Sequence, residues 1–187
     1  ILVQLNQEND LSFIVDDIDD LVDDTQEGLE RIAHIVSNLV DFASLKDNVT
    51  TMADITESLN GTLKLLENQL GTCAIELHIE KLPLTQCNIS SMKQVFVNLL
   101  INAKHACDDL HDQQGKVTIK LFANKNNIYI EVADNGCGMD ADTLKQMFDP
   151  FFTTKPVGQG TGMGMAIVYN VLKDHNGTIE VESEVGM

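Results

Sequence analysis

The sequence predicts an α+β fold: one long helix, then a two-layer α/β sandwich with a mixed sheet and helices on one face. Three observations lead to this class. Apolar residues recur at alternating steps of four and three along roughly the first 45 residues, as in a heptad repeat. Beyond residue 50, short stretches of strand alternation mix with helical patterns. These strands and helices do not alternate strictly as in repeated βαβ units, which favours a mixed sheet over a parallel one.

The first region, residues 1–47, is predicted to be a single helix with a heptad seam. The seam positions are Leu11, Val15, Ile18, Val22, Thr25, Leu29, Ile32, Val36, Leu39 and Ala43. Several aspartates lie off the seam, and aspartate is a poor helix former, so this helix needs a surface to pack against. It is either the stem of a bundle or dimer, or an amphipathic helix packed on its own domain. The length of the seam favours the stem.

The second region, residues 48–187, is predicted to form the sandwich. Its predicted elements are a helix at 55–70, a strand at 73–80, a helix at 89–110, strands at 117–123 and 128–134, a helix at 140–148, a helix at 162–175 and a strand at 178–183. A turn at 124–127 joins the two middle strands, and Asp140 is a plausible N-cap. Residues 149–161 are predicted to be a loop.

Composition excludes several classes of function. The net charge is −17, with 29 acidic and 12 basic residues, which argues against a nucleic-acid partner. The four cysteines include no C-x-x-C pair, so a zinc site or disulfide framework is not expected. No apolar run approaches the roughly 18 residues of a membrane helix. We therefore expect a cytoplasmic domain of a longer protein that is either soluble or anchored in the inner membrane by upstream segments.

Two amides stand out in the stretch NLLINAKHA. Asn98 and Asn102 are four residues apart in an otherwise apolar helix, so both lie on one face, one turn apart. Amides on a buried face are costly unless they are paired or contact a ligand. A neutral amide, unlike a carboxylate, cannot act as a general base at neutral pH.

Two glycine-containing motifs follow. In DNGCGM, a carboxylate at a strand end, Asp134, precedes Gly136 and Gly138. This motif suits either contact with a flat ring or an ordinary hairpin turn. In the second motif, Gly158, Gly160, Gly162 and Gly164 alternate before a helix, which suits a phosphate site or a flexible loop. Lys155 is the only cation between Lys145 and Lys173, so it is either a phosphate ligand or a surface lysine.

The order NLLINAKHA, DNGCGM, DPFFTTK and GQGTGMGMAIV resembles the motif boxes of sensor histidine kinases, most closely the nitrogen-regulation type. The resemblance covers about residues 1–187. It implies the Bergerat ATP-binding fold in residues 48–187, lacking its last strand. It also implies that residues 1–47 are the second helix of the dimerisation and histidine-phosphotransfer stem.

The resemblance also implies roles for individual residues. Asn102 would ligate Mg²⁺, Asn98 would line the phosphate side, and Asp134 would hold the adenine amine. Three residues would line the base, namely Gly136, Gly138 and Met139. Four residues would form a lid over the phosphates, namely Lys155, Gly160, Gly162 and Gly164. Met163 and Thr178 are weaker candidates for nucleotide contact, and Asn98 and Lys155 are the candidate catalytic residues.

The implied function is transfer of the ATP γ-phosphate to a stem histidine and then to an aspartate of a response regulator, in a homodimer. Asn98 occupies a position where ATPases of the superfamily have a glutamate that activates water. The alternatives are an ATPase with a hydrolysis-driven conformational cycle, a dimerisation module with a degenerate nucleotide pocket, and a serine-directed kinase of the anti-sigma type.

One departure from the family pattern concerns the histidine that would accept the phosphate. The only histidine on the predicted stem, His34, lies at heptad position f, away from the seam, and lacks the acidic residue and proline that follow the family's acceptor. A surface histidine is therefore the expected interpretation of His34, and the acceptor helix is expected upstream. The fragment alone is not expected to phosphorylate itself.

Overall fold

The computed structural model describes residues 17–19, 21–22, 25–26, 28–29, 32, 36, 49–71, 73–108, 110, 113–156 and 160–186. The chain divides into two compact units, Ile1–Ala43 and Ser44–Met187, and each is described by itself. The predicted boundary between residues 47 and 48 stays a prediction.

In the first unit, every described residue from 17 to 36 is helical, as the heptad pattern predicts. The described apolar seam residues are all more than half exposed, namely Ile18, Val22, Leu29, Ile32 and Val36. The rest of the predicted stem helix, including His34, lies outside the described residues. These five described seam residues therefore form an exposed apolar surface.

The second unit contains five strands and four helices among its described residues. In chain order these are β1 (Thr51–Ala53), α1 (Ile55–Leu70), β2 (Ala74–Ile79), β3 (Thr85–Cys87), α2 (Ile89–Asp108), β4 (Lys116–Asn124), β5 (Asn127–Asp134), α3 (Ala141–Gln146) and α4 (Gly164–Asp174). The predicted helices and middle strands are confirmed within a few residues. The short strands β1 and β3 were not predicted.

The main sheet has the strand order β2-β4-β5, with β2 parallel to β4 and β4 antiparallel to β5. The predicted mixed sheet is therefore confirmed. Strands β1 and β3 form a separate antiparallel pair. Within β4, Val117, Ile119 and Leu121 are fully buried while Lys116 and Lys120 are exposed, so strand alternation directs one face to the core.

Helix α2 is the centre of the helical layer. It contacts α1 and α4 on its flanks and β4 and β5 beneath it. Phe96 and Leu100, one turn apart, are both fully buried. Truncating such a side chain to alanine typically costs about 3–5 kcal/mol, so the position of α2 is fixed by the core. The two amides of interest are carried on this rigid element.

A histidine at the end of α4 ties that helix to the start of α2. The Asn88 N–H donates to His175 Nε2 at 2.9 Å, and His175 Nδ1 lies 2.7 Å from the Val171 carbonyl oxygen. Because Nε2 accepts from a backbone N–H, the ring proton must lie on Nδ1 and be donated to the carbonyl. His175 therefore has a structural role that its sequence spacing did not indicate.

Helix α1 contains a glycine whose replacement provides a test of the fold. Asp54 caps the helix by accepting a 2.8 Å hydrogen bond from the Thr56 N–H, and Gly61 lies exposed in the middle. A Cβ at Gly61 would meet nothing within 4 Å. We expect Gly61→Ala to raise the free energy of unfolding by about 0.5–1 kcal/mol, because glycine loses more backbone entropy in a helix. Urea denaturation measures this, and a destabilised variant would contradict it.

The predicted strand at 178–183 is wrong in one respect, since the structure has no strand there. Ile179, Val181 and Ser183 are half-buried and their neighbours are exposed, so the alternation correctly identifies the inward face. This segment is held instead by isolated bonds near its end, from Met139 N–H to Ser183 Oγ at 2.9 Å and from Gly186 N–H to the Cys137 oxygen at 3.1 Å. An alternating sequence pattern indicates which face of a segment is buried, but it does not provide a neighbouring strand with which the segment can pair.

Candidate ATP-binding site

The two amides of α2 lie next to the beginning of α4. A Cβ placed on Gly164 would lie 3.0 Å from Asn98 Oδ1 and 3.8 Å from Asn102 Nδ2. Glycine at this position therefore leaves the helix end close to both side chains. The structure thus joins the asparagine motif to the second glycine motif, as the resemblance implies.

The amide nitrogen of Asn98 is unusual in this environment. Asn98 Nδ2 is buried and has no hydrogen-bond partner among the described residues. Leaving a buried donor unpaired costs about 1–3 kcal/mol. The Oδ1 of the same amide lies beside the N-terminus of α4, whose N-cap residue, Met163, makes no side-chain capping bond. Uncapped helix N-termini and unpaired amide donors both favour an anion such as phosphate.

The first glycine motif packs against the other end of α2. A Cβ at Gly136 would come within 2.5 Å of the Ala106 backbone carbon and oxygen. The Cys137 N–H donates to that same oxygen at 2.9 Å. The Gly136 N–H donates to Asp134 Oδ1 at 2.9 Å, which fixes the carboxylate at the end of β5. Only glycine allows the loop to approach α2 this closely.

Gly138 and Met139 extend this loop toward the end of the chain. Gly138 has φ of +70°, and a Cβ there would lie 1.9 Å from the Glu184 carbonyl oxygen. Met139 is half-buried, and its N–H donates to Ser183 Oγ. The segment at 183–184 thus supports the loop that carries Asp134, which sequence motifs alone did not indicate.

In the described part of the predicted lid, Gly160 and Gly162 pack closely against other residues of the same segment. A Cβ at Gly160 would lie 2.5 Å from Thr153 Oγ1, and one at Gly162 would lie 2.3 Å from the Phe151 carbonyl carbon. Gly162 has φ of +65°, and its oxygen accepts the Phe151 N–H at 2.9 Å. The fourth glycine of the run, Gly158, lies outside the described residues.

Lys155 contacts α2 through a residue whose role the sequence left open. The Lys155 Nζ lies 2.5 Å from His105 Nδ1, in a partly buried contact. His105 is three residues beyond Asn102 and so continues the polar row of Asn98 and Asn102 along the helix. The spacing of three residues from Asn102 is the sequence signal from which His105 could have been predicted to lie in the site.

The structure does not gather every predicted site residue. Met163 is buried, with 3% of its surface exposed, at the N-cap of α4. Thr178 is exposed just after α4, and none of the described contacts links it to Asn98, Asp134 or Lys155. In the described part of the chain no three His, Cys, Asp or Glu side chains form a metal-binding group.

Two surface recesses lie away from these motifs. One, of about 410 Å³, is lined by residues of β1, α1 and the start of α2, including Ser58. The other, of about 510 Å³, is lined in part by Cys73 and Cys107. Burial, with the neighbouring Cys107 thiol, raises the pKa of Cys73 to about 11, so Cys73 is not a thiolate at neutral pH. Neither recess is lined by a residue that is predicted to bind nucleotide. The contacts between the sequence motifs therefore locate the candidate site better than the recesses do.

Comparison with known proteins agrees with this geometry. Residues 87–187 match the family described as histidine kinase-, DNA gyrase B- and HSP90-like ATPase. The chain is 31% identical over 160 residues to the sensor histidine kinase ZraS of Escherichia coli strain K12, covering 84% of this chain and 33% of ZraS. It is 31% identical over 162 residues to sporulation kinase E of Bacillus subtilis strain 168, covering 84% of this chain and 21% of that protein.

Solved structures share the fold. Full-length ShkA in complex with AMPPNP superposes with a TM-score of 0.73 at 23% identity, covering 89% of this chain and 36% of ShkA. The histidine kinase ThkA, solved in complex with the response regulator protein TrrA, gives a TM-score of 0.64 at 21% identity, covering 81% of this chain and 43% of that one.

The chain belongs to the family of histidine kinase-, DNA gyrase B- and HSP90-like ATPases. Within that family it contains the ATP-binding catalytic domain of a sensor histidine kinase, as the resemblance predicts. The chain spans a third or less of the length of the curated relatives described above. Among the helices that the structure describes, none is long and apolar enough to cross a membrane.

Proposed function

We propose that the intact protein transfers the γ-phosphate of Mg²⁺-ATP to a histidine on a helical stem, and from there to an aspartate of a response regulator. The observation that carries the proposal is the pair of amides beside the uncapped N-terminus of α4. Asn98 Oδ1 lies at that helix end, its buried Nδ2 has no partner among the described residues, and neither Asn98 nor Asn102 can take a proton from water at neutral pH. Such a site holds ATP without driving its hydrolysis.

Magnesium fits the residues at this point. The Asn102 side chain offers an amide oxygen, a hard ligand of the kind that Mg²⁺ accepts. Mg²⁺ commonly binds through one or two protein oxygens, substrate phosphates and water, so a larger group of acidic ligands is not required. When bound, the ion would neutralise phosphate charge. Asn98 and Asn102 would orient the phosphates on α2, and Lys155 would meet the terminal phosphate.

The other end of α2 suits the adenine base. Asp134 Oδ1 is held by the Gly136 N–H, and its second oxygen can accept a hydrogen bond from an exocyclic amine. The close approach of Gly136 to Ala106 and the half-buried Met139 provide flat and apolar surroundings for a ring. With a net charge of −17, the chain needs such local contacts to attract an anionic nucleotide.

The stem supports the proposed assembly. At least five apolar seam residues are exposed in this chain, and burying them in a helical bundle with a second copy would stabilise the stem. We assign residues 1–47 to the second stem helix and residues 48–187 to the catalytic domain. ThkA, a structural relative, was solved with a response regulator, which supports a receiver domain as the second acceptor. We do not assign His34 as the phosphate acceptor.

The test uses the intact protein, including its native upstream and downstream segments. Incubation with γ-labelled ATP and Mg²⁺ is expected to give acid-labile, base-stable label on the protein, with little free phosphate. Label should then pass to an isolated receiver domain that carries its aspartate, and not to one with Asp→Ala. Rapid phosphate release from unlabelled protein would instead establish an ATPase. Failure to bind Mg²⁺-ATP would establish a degenerate dimerisation module.

A further inference from the structure

We infer that His105 is a positioning residue that holds the Lys155 ammonium in place for the terminal phosphate of ATP. The observation is the 2.5 Å contact between His105 Nδ1 and Lys155 Nζ, which links α2 to the lid segment. The inference rests on the proposed function and adds a residue to it. Sequence motifs identified Lys155 but gave His105 no role.

The chemistry of the contact fixes the state of the imidazole. A lysine ammonium has three N–H donors and no acceptor, so His105 Nδ1 must accept and its ring proton must lie on Nε2. This arrangement uses one of the three donors of Lys155.

The aliphatic stem of Lys155 also passes close to Gly160. Its side-chain Cδ and Cβ lie 3.2 and 3.3 Å from the position of a Cβ on Gly160, and its N–H donates to Thr153 Oγ1 at 3.2 Å. Both Lys155 and His105 are half-buried. A free lysine side chain loses as much as about 2 kcal/mol of rotamer entropy when it is fixed. Restraint before the nucleotide arrives removes part of that cost from binding.

The placement of His105 explains why the restraint matters. His105 lies on the same rigid helix as Asn98 and Asn102, so an ammonium held by His105 has a fixed position relative to both amides. Gly160 and Gly162 do not provide such a reference, because their close contacts are with residues 151, 153 and 155 of the same loop. Through His105, the cation and the amides become one preorganised phosphate site.

The test measures the affinities of the intact protein for ATP, ADP and adenosine in the presence of Mg²⁺. His105→Ala is expected to weaken ATP binding about tenfold, a change of ~1.4 kcal/mol, to affect ADP less, and to leave adenosine affinity unchanged. His105→Asn should restore most of the ATP affinity, because Asn Oδ1 takes the place of the accepting Nδ1. His78→Ala, which removes an exposed histidine from β2, is the matched control and should bind all three ligands normally.

A double-mutant cycle with Lys155→Met distinguishes a role of His105 in positioning Lys155 from direct contact between His105 and the nucleotide. If His105 acts through Lys155, His105→Ala should cause no further loss of ATP affinity in the Lys155→Met protein. Additive losses would mean that His105 contacts the nucleotide itself, and an equal loss for adenosine would mean a structural role. Either result, or unchanged ATP affinity in His105→Ala, overturns the inference. Failure of the wild-type protein to bind ATP would instead overturn the proposed function and the inference with it.

Discussion

Replacing Gly162 with alanine is expected to lower the free energy of unfolding by about 2–4 kcal/mol and to weaken ATP binding at least tenfold. Two effects act together at this position. Gly162 has φ of +65°, where an alanine is strained, and the new Cβ would lie 2.3 Å from the Phe151 carbonyl carbon. The neighbour is backbone, so a side-chain rotation cannot relieve the contact.

The loss of ATP affinity follows from what Gly162 holds. Its carbonyl oxygen accepts the Phe151 N–H at 2.9 Å, and it lies two residues before Gly164 at the start of α4. Moving the backbone at residue 162 therefore displaces both the lid segment and the helix end beside the amides.

Urea denaturation and ATP titration of the intact protein measure the two effects of Gly162→Ala. The matched control is Gly61→Ala, because Gly61 has open space around its Cβ position and lies in the middle of α1. The control should be slightly more stable than the wild type and bind ATP with unchanged affinity. Wild-type stability in Gly162→Ala would contradict the geometry described here.

Replacing Asn102 with alanine is expected to lower the rate of ATP-dependent phosphorylation of the intact protein by about 100-fold, or ~2.7 kcal/mol. Asn102 is half-buried on α2, and its side chain reaches the start of α4. Alanine removes the proposed oxygen ligand for Mg²⁺ while leaving the helix intact, because alanine is the best helix former. The Mg²⁺-dependent part of ATP affinity should fall, and the affinity measured in EDTA should change little.

Two further variants help to interpret the Asn102→Ala result. Asn102→Asp keeps an oxygen ligand and should retain more of the Mg²⁺ dependence than Asn102→Ala does. Asn60→Ala removes an exposed asparagine from α1 and should behave as the wild type. If Asn102→Ala retains the full effect of Mg²⁺ on ATP affinity, the assignment of this residue as the metal ligand is wrong.

Much of the fold could be predicted because its elements carry strong periodic signals. The helix at 55–70 and the strand pair joined near Lys125 have the predicted bounds to within two residues. The three-residue strands β1 and β3 are too short for any periodicity to show. The segment at 178–183 has strand alternation without strand pairing, because pairing depends on a neighbour that a local pattern cannot specify.

For the candidate site, the sequence predicted individual residues but not all of the contacts between them. Ordered motifs identified Asn98, Asn102 and the glycines, because tight backbone approaches leave a glycine signature in the sequence. The contact between His105 and Lys155 joins residues 50 positions apart, and neither residue type is unusual by itself. Ser183, which binds the Met139 N–H, gives no sequence signal either, since one hydroxyl is common at any surface.

The two glycine contacts on α2 lie a fixed distance apart along that helix. Gly164 approaches it at Asn98 and Gly136 approaches it at Ala106, eight residues further on. At 1.5 Å per residue, a ligand must bridge about 12 Å along the axis to reach both points. Because a packed helix does not stretch, this distance is independent of how the lid segment is arranged. In the arrangement we propose, with the base near Ala106 and the phosphates near Asn98, a nucleoside without its phosphates reaches only the Ala106 end, so the fixed length of the helix favours the longer ligand.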